Sequence, residues 1–173
     1  EKNINLVICF HGAVKGSGTD RVIFRGYNYT IPNTDILCIS DYLMNKYSDY
    51  SINWALPSKV HSTEGIYMDV FEHVIHAKRY TNVVFTGSSA GGYQSIKYAC
   101  HFNCISLVSN CQLYLEKYSL FHRLVNPASS CSVSLMSLMD MNNDQIVYHH
   151  KDVEKWFDNR AHLPQKMVIY CNT

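Results

Sequence analysis

Five short apolar runs, each closed by turn-forming residues, limit how this chain can fold. They fall at residues 6–10 (LVICF), 35–39 (DILCI), 83–86 (VVFT), 105–108 (ISLV) and 167–170 (MVIY). The turns that close them are His11-Gly12, Ser40-Asp41, Gly87, Ser109-Asn110 and Cys171-Asn172. Runs this short, largely apolar rather than alternating, are the pattern of strands buried on both faces and therefore parallel. Parallel neighbours need a crossover, and helices supply it. Ile66, Val70, Val74 and Ala77 recur at near-helical spacing, with Ser62 or Thr63 as N-cap, and residues 90–101 must also return the chain to the next strand. The expectation is an α/β protein with a mostly parallel sheet and helices on both faces. In such sheets chemistry collects at the carboxyl ends of the strands, where His11-Gly12, Gly87-Ser88-Ser89 and Ser109-Asn110 fall.

With 173 residues the chain is expected to form a single domain, burying about 70% of the surface it exposes when unfolded. Residues 111–164 break the rhythm: they contain no clear strand but many Leu, Met, Tyr and His at helical spacing. That is too long for a simple crossover, so the segment is predicted to be a helical lid over the strand ends. A net charge of +1 argues against binding nucleic acid by phosphate neutralisation, and 47% hydrophobic against 17% charged residues excludes a disordered chain. No apolar run reaches the length of a membrane span, and no secretory pattern opens the sequence. Seven cysteines, an odd set with several in strand-like runs, fit a reducing compartment, so a cytoplasmic protein is expected.

The stretch that carries chemistry is Gly87-Ser88-Ser89-Ala90-Gly91-Gly92, which matches G-x-S-x-G between a strand and a helix. A serine on so tight a turn takes strained backbone geometry, and the residues two positions away must lack bulk. The turn raises the hydroxyl above the sheet at a helix N-terminus, where developing negative charge is favoured. Ser89 is thereby the candidate nucleophile; Ser88 fits worse, being flanked by Thr86 and Ala90. Acyl transfer also needs backbone N–H groups aimed at the oxyanion. The candidates are the amide of Ala90 and an amide from the loop after His11, that of Gly12 or Ala13. Lys15, Arg21 and Arg25 follow that loop and are candidate contacts for an anionic substrate.

A serine hydroxyl requires a base, and the base an orienting acid. Both are expected beyond Thr173, because the strand they should follow is the run at 167–170. Alternatives within the chain are Asp140, Asp144, His149, His150, Asp152 and His162, whose other reading is solvated lid surface. Cys100, His101, Cys104 and Cys111 could suggest zinc, but their spacing matches no closed site, and core thiols are the preferred reading. His73 and His76 are expected on the surface of the first helix.

The His11-Gly12 loop, the Gly87–Gly92 turn and Ser109-Asn110-Cys111-Gln112 resemble the α/β-hydrolase superfamily. The small, lid-bearing form and the abundance of Asn, Ile, Tyr and Lys make the chain similar to the capsular polysaccharide O-acetyltransferases of the meningococcal serogroup A type. The resemblance implies transfer of an acetyl group from acetyl-CoA, a co-substrate rather than a bound cofactor, to sugar hydroxyls of an anionic capsular polymer of N-acetylmannosamine phosphate. Ser89 would be the nucleophile, and Ala90 with the Gly12-Ala13 loop would supply the oxyanion donors. Partners would be acetyl-CoA, the polysaccharide and a capsule-synthesis complex; neither a metal nor nucleic acid is implied. The family's acid and histidine match no position here. A carbohydrate esterase and a non-catalytic scaffold in a polysaccharide or secretion assembly are the competing expectations.

Overall fold

The computed structural model describes residues 4–14, 22–42, 44, 51–52, 54, 63–119, 121 and 164–171. Each apolar run is a strand: β1 (Asn5–Phe10), β2 (Thr34–Ile39), β3 (Asn82–Ser88), β4 (Ile105–Ser109) and β5 (Lys166–Tyr170). Two helices, α1 (Thr63–Ala77) and α2 (Ala90–His101), carry the chain from β2 to β3 and from β3 to β4. The strands form one sheet in the order β2-β1-β3-β4-β5, with every pairing parallel. The order reverses at β1: the chain first moves outward to β2, then crosses back to lay β3 along the other side. Loops leaving β1 and β3 therefore diverge, and a crevice opens beyond their carboxyl ends. Phe10 stands level with Gly87, so the turns after His11 and before Ser89 leave the sheet side by side.

Register also decides which face is buried. Leu6, Ile8 and Phe10 of β1 are in line with Val83, Phe85 and Gly87 of β3. The side chains of Leu6, Ile8, Phe10, Val83 and Phe85 meet Phe71 of α1 and Tyr98 of α2 in one core. Phe71 sits edge-on to Tyr98 at 4.9 Å and to Phe85 at 5.4 Å, while Phe10 stacks on Tyr98 at 5.6 Å between centroids. Such pairs add about 0.5–1.5 kcal/mol each beyond the area they bury. Both described helices thus cover the same face of the sheet. On the opposite face Cys9 is covered by the turn at Gly26, whose φ of 91° and lack of a Cβ let it approach; a Cβ there would lie 2.9 Å from Cys9 Sγ.

One expectation changes in this light, and two others reach beyond the described residues. The two helices α1 and α2 lie on one face of the sheet, and helices on the other face, expected from sequence, do not fall among the described residues. The predicted lid at 111–164 lies largely outside the described residues; its first part, from Cys111, is irregular chain with one 3-10 turn at Leu115–Lys117. The inward stripe of α1 is also different from the one read from spacing. Ile66 is 50% and Val70 38% exposed, whereas Thr63, Tyr67 and Phe71 are buried. Two aromatic rings at i and i+4 remove more apolar surface from water than two aliphatic side chains, and they win the core. Tyr67 has its polar end satisfied as well: its hydroxyl donates to Ser40 O at 3.0 Å and accepts the Tyr42 amide at 3.2 Å. The fifth run is apolar, yet every residue of β5 is exposed, and among the described residues it pairs only with β4.

Candidate active site

Ser89 occupies the position between β3 and α2 with φ 56° and ψ −118°. This is backbone that L-residues avoid, at a cost of about 1–3 kcal/mol. Its main chain is held on both sides. The Ser89 N–H donates to Ser109 O at 3.0 Å, and the Ser89 carbonyl accepts the amides of Gly92 at 3.1 Å, Tyr93 at 3.3 Å and Gln112 at 3.1 Å. Gln112 is itself fixed, since its side-chain oxygen accepts the indole N–H of fully buried Trp54 at 2.8 Å. The strain is therefore over-determined by neighbours on three segments.

The glycines of the motif are required by backbone contact. A Cβ on Gly87 would lie 2.4 Å from the Gly91 carbonyl carbon, and one on Gly91 would lie 2.7 Å from Phe10 O and 2.8 Å from His11 O. The end of β3, the first turn of α2 and the exit from β1 thus meet main chain against main chain. The Ser89 hydroxyl is not spent on capping α2, and the residue is half-buried in the wall of a cavity of about 630 Å³. Ser88, the other serine of the pair, ends β3 exposed on the same wall.

The loop after β1 forms the facing wall. His11 is 5% exposed, and its Nε2 accepts the Asp41 amide at 3.0 Å. A backbone N–H can only donate, so the ring proton resides on Nδ1, which donates to Gly12 O at 2.7 Å. In a trans peptide the C=O and N–H point in opposite directions, so drawing the Gly12 carbonyl toward His11 turns the Ala13 N–H away from it. Gly12 and Ala13 line the same cavity as Ser89. A Cβ on Gly12 would lie 3.6 Å from Ser89 Cβ. Among the described residues no acceptor takes the amides of Gly12, Ala13 or Ala90. Ala90 is completely buried at the start of α2, next to Ser89 in the chain, and does not itself form part of the cavity wall.

Of the three basic residues read from sequence, Arg25 is exposed and lines the cavity, while Lys15 and Arg21 lie outside the described residues. Asp140, Asp144, His149, His150, Asp152 and His162 lie outside them as well. His11 is the one described histidine at the cavity, and with both ring nitrogens engaged it holds the loop rather than accepting the Ser89 proton. His73 and His76 are exposed on α1. Burial pushes the thiols of Cys100 up to about 12 and of Cys104 up to about 11, which keeps both protonated and inert. No three His, Cys, Asp or Glu side chains come together as metal ligands among the described residues. Sequence reading missed the braces of the site, Asp41 on His11 and Trp54 on Gln112, because neither pair is adjacent in the chain or part of a motif.

No family model matches the sequence, and no curated protein matches it. Two solved structures share the fold. One is the Glycosylation Associate Protein (Gap123) complex from Streptococcus agalactiae, with a TM-score of 0.61, 13% identity, and 98% of this chain against 31% of the other. The second is FphF, a fluorophosphonate-binding serine hydrolase of Staphylococcus aureus solved with substrate bound, with a TM-score of 0.59, 12% identity, and 100% of this chain against 66% of the other. The chain thus spans about a third of the first neighbour and about two thirds of the second. At such low identity the likeness establishes the α/β fold, one that a serine hydrolase also uses, and no helix among the described residues is long and apolar enough to cross a membrane.

Proposed function

We propose that the protein transfers acyl groups through Ser89, as an O-acetyltransferase that takes acetyl from acetyl-CoA to sugar hydroxyls of an anionic polysaccharide. The observation that carries the reading is the strained, uncapped Ser89 facing the Gly12-Ala13 loop across one cavity. In the first step Ser89 Oγ loses its proton to a base and attacks the thioester carbonyl. The oxyanion, for which the Ala13 and Ala90 N–H groups are the candidate donors, then collapses and expels the coenzyme A thiolate, which takes the proton held by the base. A sugar hydroxyl next gives its proton to the base and attacks the acetyl-Ser89 ester, and the base returns that proton to Ser89 Oγ as it departs. None of the described residues is assigned as base or acid.

Structural likeness to a serine hydrolase favours a second reading, in which water takes the place of the sugar and the protein is a carbohydrate esterase. The glycosylation-associated neighbour supports a sugar-related role for either reading and suits membership of a larger assembly. The test is covalent labelling with a fluorophosphonate probe, followed by peptide mapping. Label is expected on Ser89 in the native protein, with labelling lowered by at least about a hundredfold in Ser89→Ala. Labelling that survives in Ser89→Ala would overturn the assignment. Coenzyme A release from acetyl-CoA that depends on added acceptor sugar separates transferase from esterase.

A further inference from the structure

The segment from Val22 to Ile31 exposes five large apolar side chains. Phe24 is 46%, Tyr27 80% and Tyr29 49% exposed, and Val22 and Ile31 are also open. A turn at residues 25–28, closed by the Tyr29 amide on Gly26 O at 2.9 Å, fixes their spacing. This segment is continuous with the cavity that holds Ser89: Tyr29 and Arg25 line it from this side, and Tyr170, 65% exposed at the end of β5, lines it as well. Exposed apolar patches of this kind mark interaction surfaces.

The chemistry of the patch selects its ligand. Of the rings that line the cavity, the two exposed ones, Tyr29 and Tyr170, are tyrosines, which offer a flat apolar face and a hydroxyl at the edge. The cavity's apolar lining, Val14, Ile23, Leu107 and Val108 among it, is interrupted by the hydroxyls of Thr86, Ser88 and Ser109, and its described wall has one guanidinium and no carboxylate. A fatty acyl chain would leave those hydroxyls unpartnered, since each loses water on burial and the chain offers no hydrogen bond in return. A pyranose ring offers what these groups need: C–H faces for the rings, hydroxyls for the hydroxyls, and on an acidic sugar an anion for Arg25.

Resting on the Ser89 reading, we propose that Tyr29 and Tyr170 form a stacking platform for the sugar ring next to the reacting hydroxyl, with Arg25 selecting rings that carry a negative charge. The probes are trigalacturonic acid and the neutral maltotriose, titrated by calorimetry and saturation-transfer NMR into the Ser89→Ala protein, which cannot turn over. The acidic sugar is expected to bind more tightly, with saturation passing from tyrosine ring protons to pyranose C–H protons. Tyr29→Ala and Tyr170→Ala should each weaken it about tenfold, the worth of one ring contact, whereas Tyr29→Phe stays within about twofold. Arg25→Gln should remove the preference for the acidic sugar. Equal binding by Tyr29→Ala and native protein, binding of neither sugar, or co-sedimentation with phosphatidylcholine vesicles lost in Tyr27→Ala would each overturn the platform. Fluorophosphonate labelling run in parallel keeps the two readings apart. Labelled Ser89 without sugar binding removes only the platform, and sugar binding without label removes only the nucleophile.

Discussion

The two described helices flank the same core and reach burial by opposite routes. α1 is the more apolar in composition, yet it sends Ile66 and Val70 to solvent and keeps one aromatic stripe inside. α2 carries Gln94, Ser95 and Lys97 among two glycines, and every residue from Ala90 to Cys100 is buried. Hydrophobicity does not account for that difference. α2 follows the Ser89 turn, and contacts at both ends bind it to the sheet: Gly91 against the β1 exit, and the Cys104 amide on Ala99 O at 2.9 Å. Two of its polar side chains are paired, while the Tyr98 hydroxyl is buried without a hydrogen-bond partner among the described residues. Ser95 donates to Gly91 O at 2.7 Å, and Lys97 reaches Glu64 of α1 at 2.5 Å. Burial lowers the Lys97 pKa against the pull of Glu64. The helix that positions chemistry is thus held by backbone proximity, and the other by side-chain area.

If that contrast is right, adding one methyl group to α2 should cost more than removing a ring from α1. Gly91→Ala would push a Cβ into two carbonyl oxygens that belong to a strand end and cannot yield, and it is expected to cost more than about 4 kcal/mol or to abolish folding. A urea midpoint close to that of the native protein would contradict the close approach. Phe71→Ala empties the centre of the aromatic core and should cost about 3–5 kcal/mol in the same measurement. A smaller loss would mean that α1 is less firmly seated than its rings suggest.

Alkaline pH probes the buried thiols. Cys9, Cys100 and Cys104 are pushed up from 9.0 by burial, to about 11, 12 and 11. In the unfolded chain they ionise first, so their contribution is complete below pH 9 and is lost as pH climbs toward the folded values. Each removes up to about 1.4 kcal/mol per pH unit. Lys97 acts in the other direction, because its lowered pKa makes the unfolded state the better proton binder up to 10.5. The thiols outnumber it, and the urea midpoint should fall between pH 8 and 10; a rising midpoint would place Lys97 in control. The smallest effect belongs to the face of α1 that sequence reading took for its core: Ile66→Ser should change stability by less than about 0.5 kcal/mol. A loss comparable to that of Phe71→Ala would show that another segment covers Ile66.

Strand positions were legible from sequence because buried parallel strands need an unbroken apolar run, and chance rarely supplies five, each ended by turn formers. The G-x-S-x-G turn was legible for a related reason: backbone crowding leaves no choice of residue at Gly87 and Gly91. The face of α1 was not, since Ile66 and Tyr67 fit a helix equally well and only the rings on β1 and β3 choose between them. The His11 brace was equally hidden. A His-Gly pair shows that the chain turns, but not that its ring will bridge the Asp41 amide and the Gly12 carbonyl.

The amino-acid order alone determined the local geometry: where strands run and stop, and where a serine must sit on strained backbone, because these depend on neighbours a few positions apart. Tertiary structure decided what that geometry faces. The reversal of strand order at β1 brings residues 11–13 beside Ser89 and sets Arg25 and Tyr29 on the same cavity, through contacts between segments tens of residues apart that no local pattern encodes.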